Sequence, residues 1–113
     1  MSEVFINEST FNGDISGWDV SGVTTMAFMF AIANTFNGDL SSWDVSSVTN
    51  TRSMFSNADA FNSDLSQWDT SSVNKMDQMF CFAESFNQNL CAWGDNFPYT
   101  RANDLFVADV GRK

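Results

Sequence analysis

The sequence predicts an α/β repeat solenoid in which each coil contains a short parallel strand and a short helix. First, Phe and Trp each recur at intervals of 25 residues. Second, three consecutive units share eleven of their 25 positions. Third, a strand-like and a helix-like hydrophobic spacing alternate within each unit. The recurring aromatic residues are Phe11, Phe36, Phe61 and Phe86, and Trp18, Trp43, Trp68 and Trp93.

The repeat divides the chain into three parts. Residues 11–85 hold three full units, which share the letters F-N-x-D-[IL]-S-x-W-D-[VT]-S-x-V and, further on, M-F-x-x-A. Residues 1–10 are a partial N-terminal coil, because the pattern continues into them. Residues 86–113 are a degenerate fourth repeat and a C-terminal cap, since terminal units of repeat proteins are atypical. The three full units are 11–35, 36–60 and 61–85.

Each unit is predicted to hold one strand and one helix. The spacing of Val23, Met26 and Phe30 approaches that of a helix face, and predicts about two turns, partly of 3₁₀ type. The serine that precedes each such segment is the predicted N-cap, at Ser21, Ser46 and Ser71. Residues 39–43 (DLSSW) predict a brief strand with its polar residues outward. The strands of successive coils are expected to pair in parallel.

The Phe and Trp columns are interpreted as core, because a single coil cannot bury such large side chains without its neighbours. A carbohydrate-stacking platform would use exposed Trp, whereas these Trp residues lie in the most constrained part of the repeat.

Composition excludes several functions. Fourteen Asp and Glu against five Lys and Arg give a formal charge of -9, which disfavours nucleic acid and anionic membrane surfaces as partners. There is no His, and therefore no Ser–His–Asp or Cys–His nucleophile. No segment is long enough to insert into a membrane, and residues 1–10 show no signal peptide. Cys81 and Cys91 fit neither a zinc site nor a disulfide-rich scaffold, and we expect no bond between them.

Two columns of acidic residues carry the candidate chemistry: Asp14, Asp39 and Asp64, and Asp19, Asp44 and Asp69. The structural interpretation is an Asx turn, in which each carboxylate accepts the amide two residues on. The functional alternative is a calcium site at Asp14, Asp39 and Asp64, since calcium prefers six to eight oxygen ligands. A catalytic carboxylate pair is disfavoured, because a regular column supplies no asymmetry between two pKa values.

A polar face beside these columns is the candidate binding face, formed by Ser16, Ser41, Ser66, Ser42 and Gln67. The N-terminal edge is a second candidate surface. It leaves apolar residues poorly covered, so that two copies of the chain could pair there.

The shared letters resemble the BspA-like surface-protein repeat of about 25 residues, a branch of the leucine-rich-repeat superfamily. The resemblance spans residues 4–106 and departs from the motif after Trp93. It implies leucine-rich-repeat-like coils in a larger extracellular or cell-surface protein, with adhesion or protein contact as its role. It supplies no catalytic residue and no cofactor.

The resulting hypothesis is a non-catalytic scaffold that binds a protein partner or a host or cell surface. The alternative is a calcium-dependent binding module that uses the Asp columns.

Overall fold

A computed structural model describes residues 9–88, and it contradicts the predicted secondary structure. Within that range there is no helix and no strand. The only ladder contacts in the range are two isolated parallel bridges, which join Thr25 to Asn50 and Asn50 to Lys75. The predicted α/β solenoid of strand-plus-helix coils is therefore wrong. The described residues are turns and extended connections, and no helix among them could cross a membrane. The chain is compact, with a Cα radius of gyration of 12.7 Å.

The segment predicted as a helix is a series of tight turns. The amides of Met29, Ala31 and Ala33 bond to carbonyls three residues earlier. The amides between them instead bond to the next unit, as in Phe30 to the carbonyl of Met54 at 2.8 Å. In an α-helix, each amide beyond the first turn bonds to the carbonyl four residues earlier in the same segment. Because every second amide crosses to the neighbouring unit, no helix forms here.

Left-handed backbone conformations accompany this alternation. Phe28 and Ile32 have φ values of 60° and 62°. The amides of both residues donate to the next unit, over 3.0 and 2.8 Å. A left-handed conformation costs an L-residue roughly 1–2 kcal/mol, and the hydrogen bonds between units offset that cost. The residues at the equivalent positions of the later units are also left-handed: Ser53, Asn57, Gln78 and Phe82.

The predicted strand and helix caps also fail. Ser41 and Ser42 form a turn, and the amide of Trp43 bonds to the carbonyl of Leu40 at 3.1 Å. Ser46 caps no helix, because its amide and hydroxyl both donate to Asp44. The polar residues around each Trp are therefore organised by local turns and not by a sheet.

The three 25-residue units nevertheless lie against one another in register, since residues 25 apart in the sequence become neighbours. Three side-chain contacts recur at each boundary between units, and we call them the boundary contacts. They are an indole-to-carbonyl hydrogen bond, an amide-to-Asn hydrogen bond and a pair of stacked Phe rings. At the first boundary they join Trp43 to Ile15 (3.1 Å), Asn37 to Asn12 (3.0 Å) and Phe36 to Phe11 (5.6 Å between ring centroids). At the second they join Trp68 to Leu40 (2.9 Å), Asn62 to Asn37 (2.8 Å) and Phe61 to Phe36 (6.0 Å).

The core includes the predicted Phe column, with a second Phe column beside it. Phe36 and Phe61 are fully buried, as are Phe30 and Phe55 of the second column. The two columns interleave, with ring centroids 4.4 Å apart between Phe30 and Phe36 and 4.0 Å apart between Phe55 and Phe61. The interpretation of the Phe column as core is confirmed for these units. Continuous stacking of this kind also fixes the register of one unit on the next.

The Trp column is core only in part. Trp43 and Trp68 are 4% exposed, whereas Trp18 is 42% exposed. Trp18 lies in the first full unit, so its environment differs although its motif is the same. The predicted fourth member, Trp93, lies outside the described residues, as do most of the predicted partial coil and C-terminal cap.

Candidate functional site

Each Asp of the two acidic columns closes an Asx turn, as the motif predicts. Asp44 Oδ1 accepts the amide of Ser46 at 3.0 Å and its hydroxyl at 2.6 Å. Asp39 accepts the same pair of bonds from Ser41, at 2.9 and 2.7 Å. The structural interpretation of these carboxylates is therefore confirmed. The hydrogen bond from the Ser main-chain amide to the Asp carboxylate recurs in four further turns, from Ser16 to Asp14, Ser21 to Asp19, Ser66 to Asp64 and Ser71 to Asp69.

The hydrogen bonds also hold these carboxylates ionised. The hydroxyl and then the amide of Ser46 lower the pKa of Asp44, against repulsion from Asp69 and Asp19. The amide of Ser66 is the largest cause of the lowered pKa of Asp64. Each carboxylate thus has local donors that compensate for its like-charged neighbours. The pKa is lowered by the following Ser in the same way for Asp14, Asp19, Asp39 and Asp69.

The structure brings Asp14, Asp39 and Asp64 into one column, in which Asp39 repels both of the others. Within residues 9–88, no group of three or more His, Cys, Asp or Glu side chains is arranged to hold a metal ion. One oxygen of each carboxylate is already an acceptor within its own turn. Calcium binding by these residues stays a prediction.

A column of Asn residues, two positions before the first Asp column, also links the units. The side-chain oxygen of Asn12 accepts the amide of Asn37, and the next two pairs repeat this bond at 2.8 Å. Each of these side-chain oxygens thus accepts a main-chain amide of the next unit. The column therefore fixes the register of the units and is committed to structure.

The candidate binding face separates into two layers. Ser16, Ser41 and Ser66 are half-buried, and the hydroxyls of the first two donate to an Asp. Ser42 and Gln67 are exposed, and Gly17 occupies the same repeat position in the first unit. The exposed part of the predicted face is thus the column Gly17, Ser42 and Gln67. This column can form hydrogen bonds with a partner through Ser42 and Gln67, and it presents no large apolar side chain.

Sequence reasoning missed some surface features. Arg52 Nε lies 3.1 Å from Asp77 Oδ2, in an exposed ion pair that joins two units. Arg52 and Asp77 occupy the repeat position at which the first unit has Ala27. Because this position is not shared among the units, the repeat motif does not predict the ion pair. Ile32 is an apolar residue that is 39% exposed, and the repeat pattern does not indicate that it lies at the surface. Cys81 is buried, and Cys91, the other cysteine of the sequence, lies outside the described residues.

A family model described as "Mycoplasma protein of unknown function, DUF285" matches residues 1–97 of the chain. No curated protein and no solved structure matches the chain significantly.

Proposed function

The chain belongs to the DUF285 family, and we propose that it is a non-catalytic repeat scaffold for protein–protein contact or cell-surface adhesion. Its partner is a protein or a host or cell surface, and its location is extracellular or at the cell surface. The similarity of its motif to the BspA-like repeat supports the proposed role, partner and location. The surface of the described residues supports the proposed role independently.

The observation that carries the proposal is the equivalence of the six Asp–Ser turns. Every one of these Asp residues accepts the amide of the Ser two positions on, and every pKa moves downward. Acid–base catalysis by carboxylates requires two groups whose environments push their pKa values apart. Six equivalent carboxylates supply no such pair, which favours a structural role for the columns and a binding role for the surface beside them.

Rigidity is the second feature that suits a scaffold. The stacked Phe columns and the two sets of boundary contacts hold the units in one register. Exposed side chains 25 residues apart are consequently displayed in fixed rows. A preorganised surface loses less conformational entropy on binding, so that even small polar side chains contribute to affinity.

The binding face can be tested by loading one exposed column with large side chains. The variant Gly17→Arg, Ser42→Arg, Gln67→Arg changes the candidate face, and a Cβ at Gly17 meets nothing within 4 Å. The matched control is Gly22→Arg, Ser47→Arg, Ser72→Arg, an exposed column of similar composition in which Gly22 is equally unobstructed. Both variants add three positive charges.

The measurement is the retention of beads coated with the chain on a layer of intact cells and on immobilised matrix proteins. We expect the Gly17, Ser42 and Gln67 variant to lose most of the retention and the control variant to keep it. Equal losses would indicate a non-specific charge effect. Absence of retention by the unsubstituted chain on every surface would contradict the adhesion proposal. Thermal unfolding of both variants checks that each remains folded.

A further inference from the structure

An Asn followed by Gly recurs at the same position of the first and second units, at Asn12 and at Asn37. Because Gly has no Cβ, its main-chain nitrogen can approach the side-chain carbonyl carbon of the preceding Asn with little steric hindrance. That approach makes the pair chemically labile towards loss of the Asn side-chain amide. The third unit has Asn62 at this position, followed by Ser63. The repeat therefore supplies both the labile pair and an internal comparison.

Close packing favours Gly after Asn37. A Cβ at Gly38 would lie 2.8 Å from Cε1 and 2.9 Å from Cζ of the Phe36 ring. Phe36 is fully buried in the stacked Phe column, so a side chain at position 38 requires this ring to shift. The third unit accommodates a side chain at the equivalent position, since Ser63 lies two residues after the buried Phe61. Gly is thus favoured at position 38, and Ser is a replacement that the fold tolerates.

The hydrogen bonds of Asn37 suit an attack on its side-chain carbonyl. Asn37 is exposed, and its Oδ1 accepts the main-chain amide of Asn62 at 2.8 Å. Within residues 9–88, neither Asn37 Nδ2 nor the main-chain amide of Gly38 donates a hydrogen bond. A donor held at a carbonyl oxygen stabilises the negative charge that develops there when the carbonyl carbon is attacked. The described part of the chain therefore places a donor on the oxygen and leaves both reacting nitrogens unbonded.

We propose that Asn37 is a site of spontaneous deamidation in the folded chain. The main-chain nitrogen of Gly38 loses its proton to solvent and attacks Asn37 Cγ, so that a C–N bond forms. The bond between Cγ and Nδ2 then breaks, and the leaving nitrogen takes up a proton from solvent and departs as ammonia. Water opens the resulting cyclic imide at either of its carbonyls, which gives aspartate or isoaspartate. The net reaction is the hydrolysis of the side-chain amide by water.

The two products differ in their effect on the boundary between the second and third units. Aspartate keeps an acceptor oxygen for the amide of Asn62 and adds a negative charge two residues before Asp39. Isoaspartate instead routes the main chain through Cβ and Cγ, which lengthens it between Phe36 and Gly38. Because Gly38 already lies against the Phe36 ring, the longer main chain should disturb the stacking of Phe36 on Phe61. Isoaspartate at position 37 should therefore weaken this boundary.

The test is incubation of the folded chain at mildly alkaline pH, followed by peptide mapping with mass spectrometry. Asn37 and Asn62 are followed in the same sample, and the Oδ1 of Asn62 likewise accepts a main-chain amide at 2.8 Å. We expect Asn37 to convert several-fold faster than Asn62. Gly38→Ser should slow the conversion of Asn37 several-fold, and Ser63→Gly should accelerate that of Asn62 to a similar extent. Circular dichroism checks that both variants are folded.

Two outcomes overturn the proposed site. The first is conversion of Asn37 in urea but not in the folded chain, because the fold would then protect the pair. The second is equal conversion of Asn37 and Asn62 in the unsubstituted chain, because the following Gly would then have no effect.

The effect on the boundary is measured with a chain synthesised with isoaspartate at position 37. Its thermal midpoint should lie below that of Asn37→Asp, which carries the same charge on a main chain of normal length. Equal midpoints would overturn the inferred weakening of the boundary, whereas a lower midpoint of the isoaspartate chain supports it.

Discussion

The indole N–H of Trp43 donates to the main-chain carbonyl of Ile15 over 3.1 Å, across 28 residues of sequence. The same bond joins Trp68 to Leu40 at 2.9 Å. A buried indole thus has its single donor satisfied, while its rings fill the space between units. The Trp column contributes both packing and register to the boundary.

We predict that Trp43→Ala lowers the free energy of unfolding by about 3–5 kcal/mol, the range for deleting a buried large aromatic. Trp18→Ala should cost roughly 1 kcal/mol, because a side chain with 42% exposure has less apolar surface to lose. Chemical denaturation of both variants measures the difference. A loss below about 1 kcal/mol for Trp43→Ala, a small loss for any mutation, would show that the indole is not part of the core.

Thr70 carries a buried polar atom that lacks a partner. Within the described residues its Oγ1 accepts and donates no hydrogen bond, and the residue is 2% exposed. Val20 and Val45 hold the same repeat position and are equally buried. We expect Thr70→Val to raise the free energy of unfolding by about 1–2 kcal/mol, since an unsatisfied buried hydroxyl is destabilising by that order.

The control is Thr49→Val, at an exposed residue whose hydroxyl donates to the carbonyl of Thr24 at 3.2 Å. Its stability should stay within about 0.5 kcal/mol of the unsubstituted chain, or fall. A destabilising effect of Thr70→Val would contradict this prediction, because it would mean that the Thr70 hydroxyl forms a hydrogen bond in the folded chain.

Ile32 combines a β-branched side chain with a left-handed backbone, at a φ of 62°. The second unit has Asn57 at this position, with a φ of 59°. Asn tolerates the left-handed region much better than Ile does. Because Ile32 is 39% exposed, its replacement loses less packing than the replacement of a fully buried residue. Ile32→Asn should therefore stabilise the chain by roughly 0.5–1 kcal/mol.

The matched control for this prediction is Ile15→Asn, the same replacement at a residue that is 4% exposed. It should destabilise the chain, because it buries an amide in an apolar environment. Urea unfolding of the two variants should give changes of opposite sign. Destabilisation by Ile32→Asn as well would mean that the contacts of Ile32 outweigh its backbone strain.

The sequence predicted what the side chains do better than what the main chain does. The 25-residue period correctly placed Phe36 and Phe61 in the core and paired Asp44 with Ser46 in a turn. The helix failed because hydrophobic spacing reports which side chains point inward and not where the amides bond. The amide of Phe30 bonds to Met54 in the next unit, a choice that local periodicity does not encode. Likewise, Trp18 and Trp43 share one motif, and only the neighbouring unit distinguishes their burial.

Calcium is expected to leave the stability of the chain unchanged. One oxygen of Asp39 is committed to Ser41, and no group of three potential ligand residues suited to a metal occurs within residues 9–88. A ligand that binds only the folded state raises its stability with concentration. The thermal midpoint should therefore be the same in millimolar calcium and in excess chelator. A saturable rise that is absent in Asp39→Asn would establish the calcium site that the sequence suggested.

The acidic columns also predict how stability depends on pH. Hydrogen bonds from Ser hydroxyls and amides lower the folded-state pKa of six Asp residues, including Asp44. Between the folded and unfolded pKa values, the unfolded chain binds more protons than the folded chain, so stability rises with pH there. The contribution is complete above the unfolded-state pKa, about 3.9 for Asp, and is lost as the pH falls through the folded values.

We therefore expect the thermal midpoint to be nearly constant above about pH 5 and to fall steadily below about pH 4. Ser46→Ala removes the hydroxyl that is the largest cause of the lowered pKa of Asp44, so its midpoint should fall less between neutral and acid pH. Ser47→Ala, at the exposed neighbouring serine, should retain the full fall. Calorimetric scans across this pH range compare the three proteins. A midpoint that rises on acidification would mean that repulsion within the columns outweighs the turn bonds, and an equal fall in both variants would assign the pH dependence to carboxylates other than Asp44.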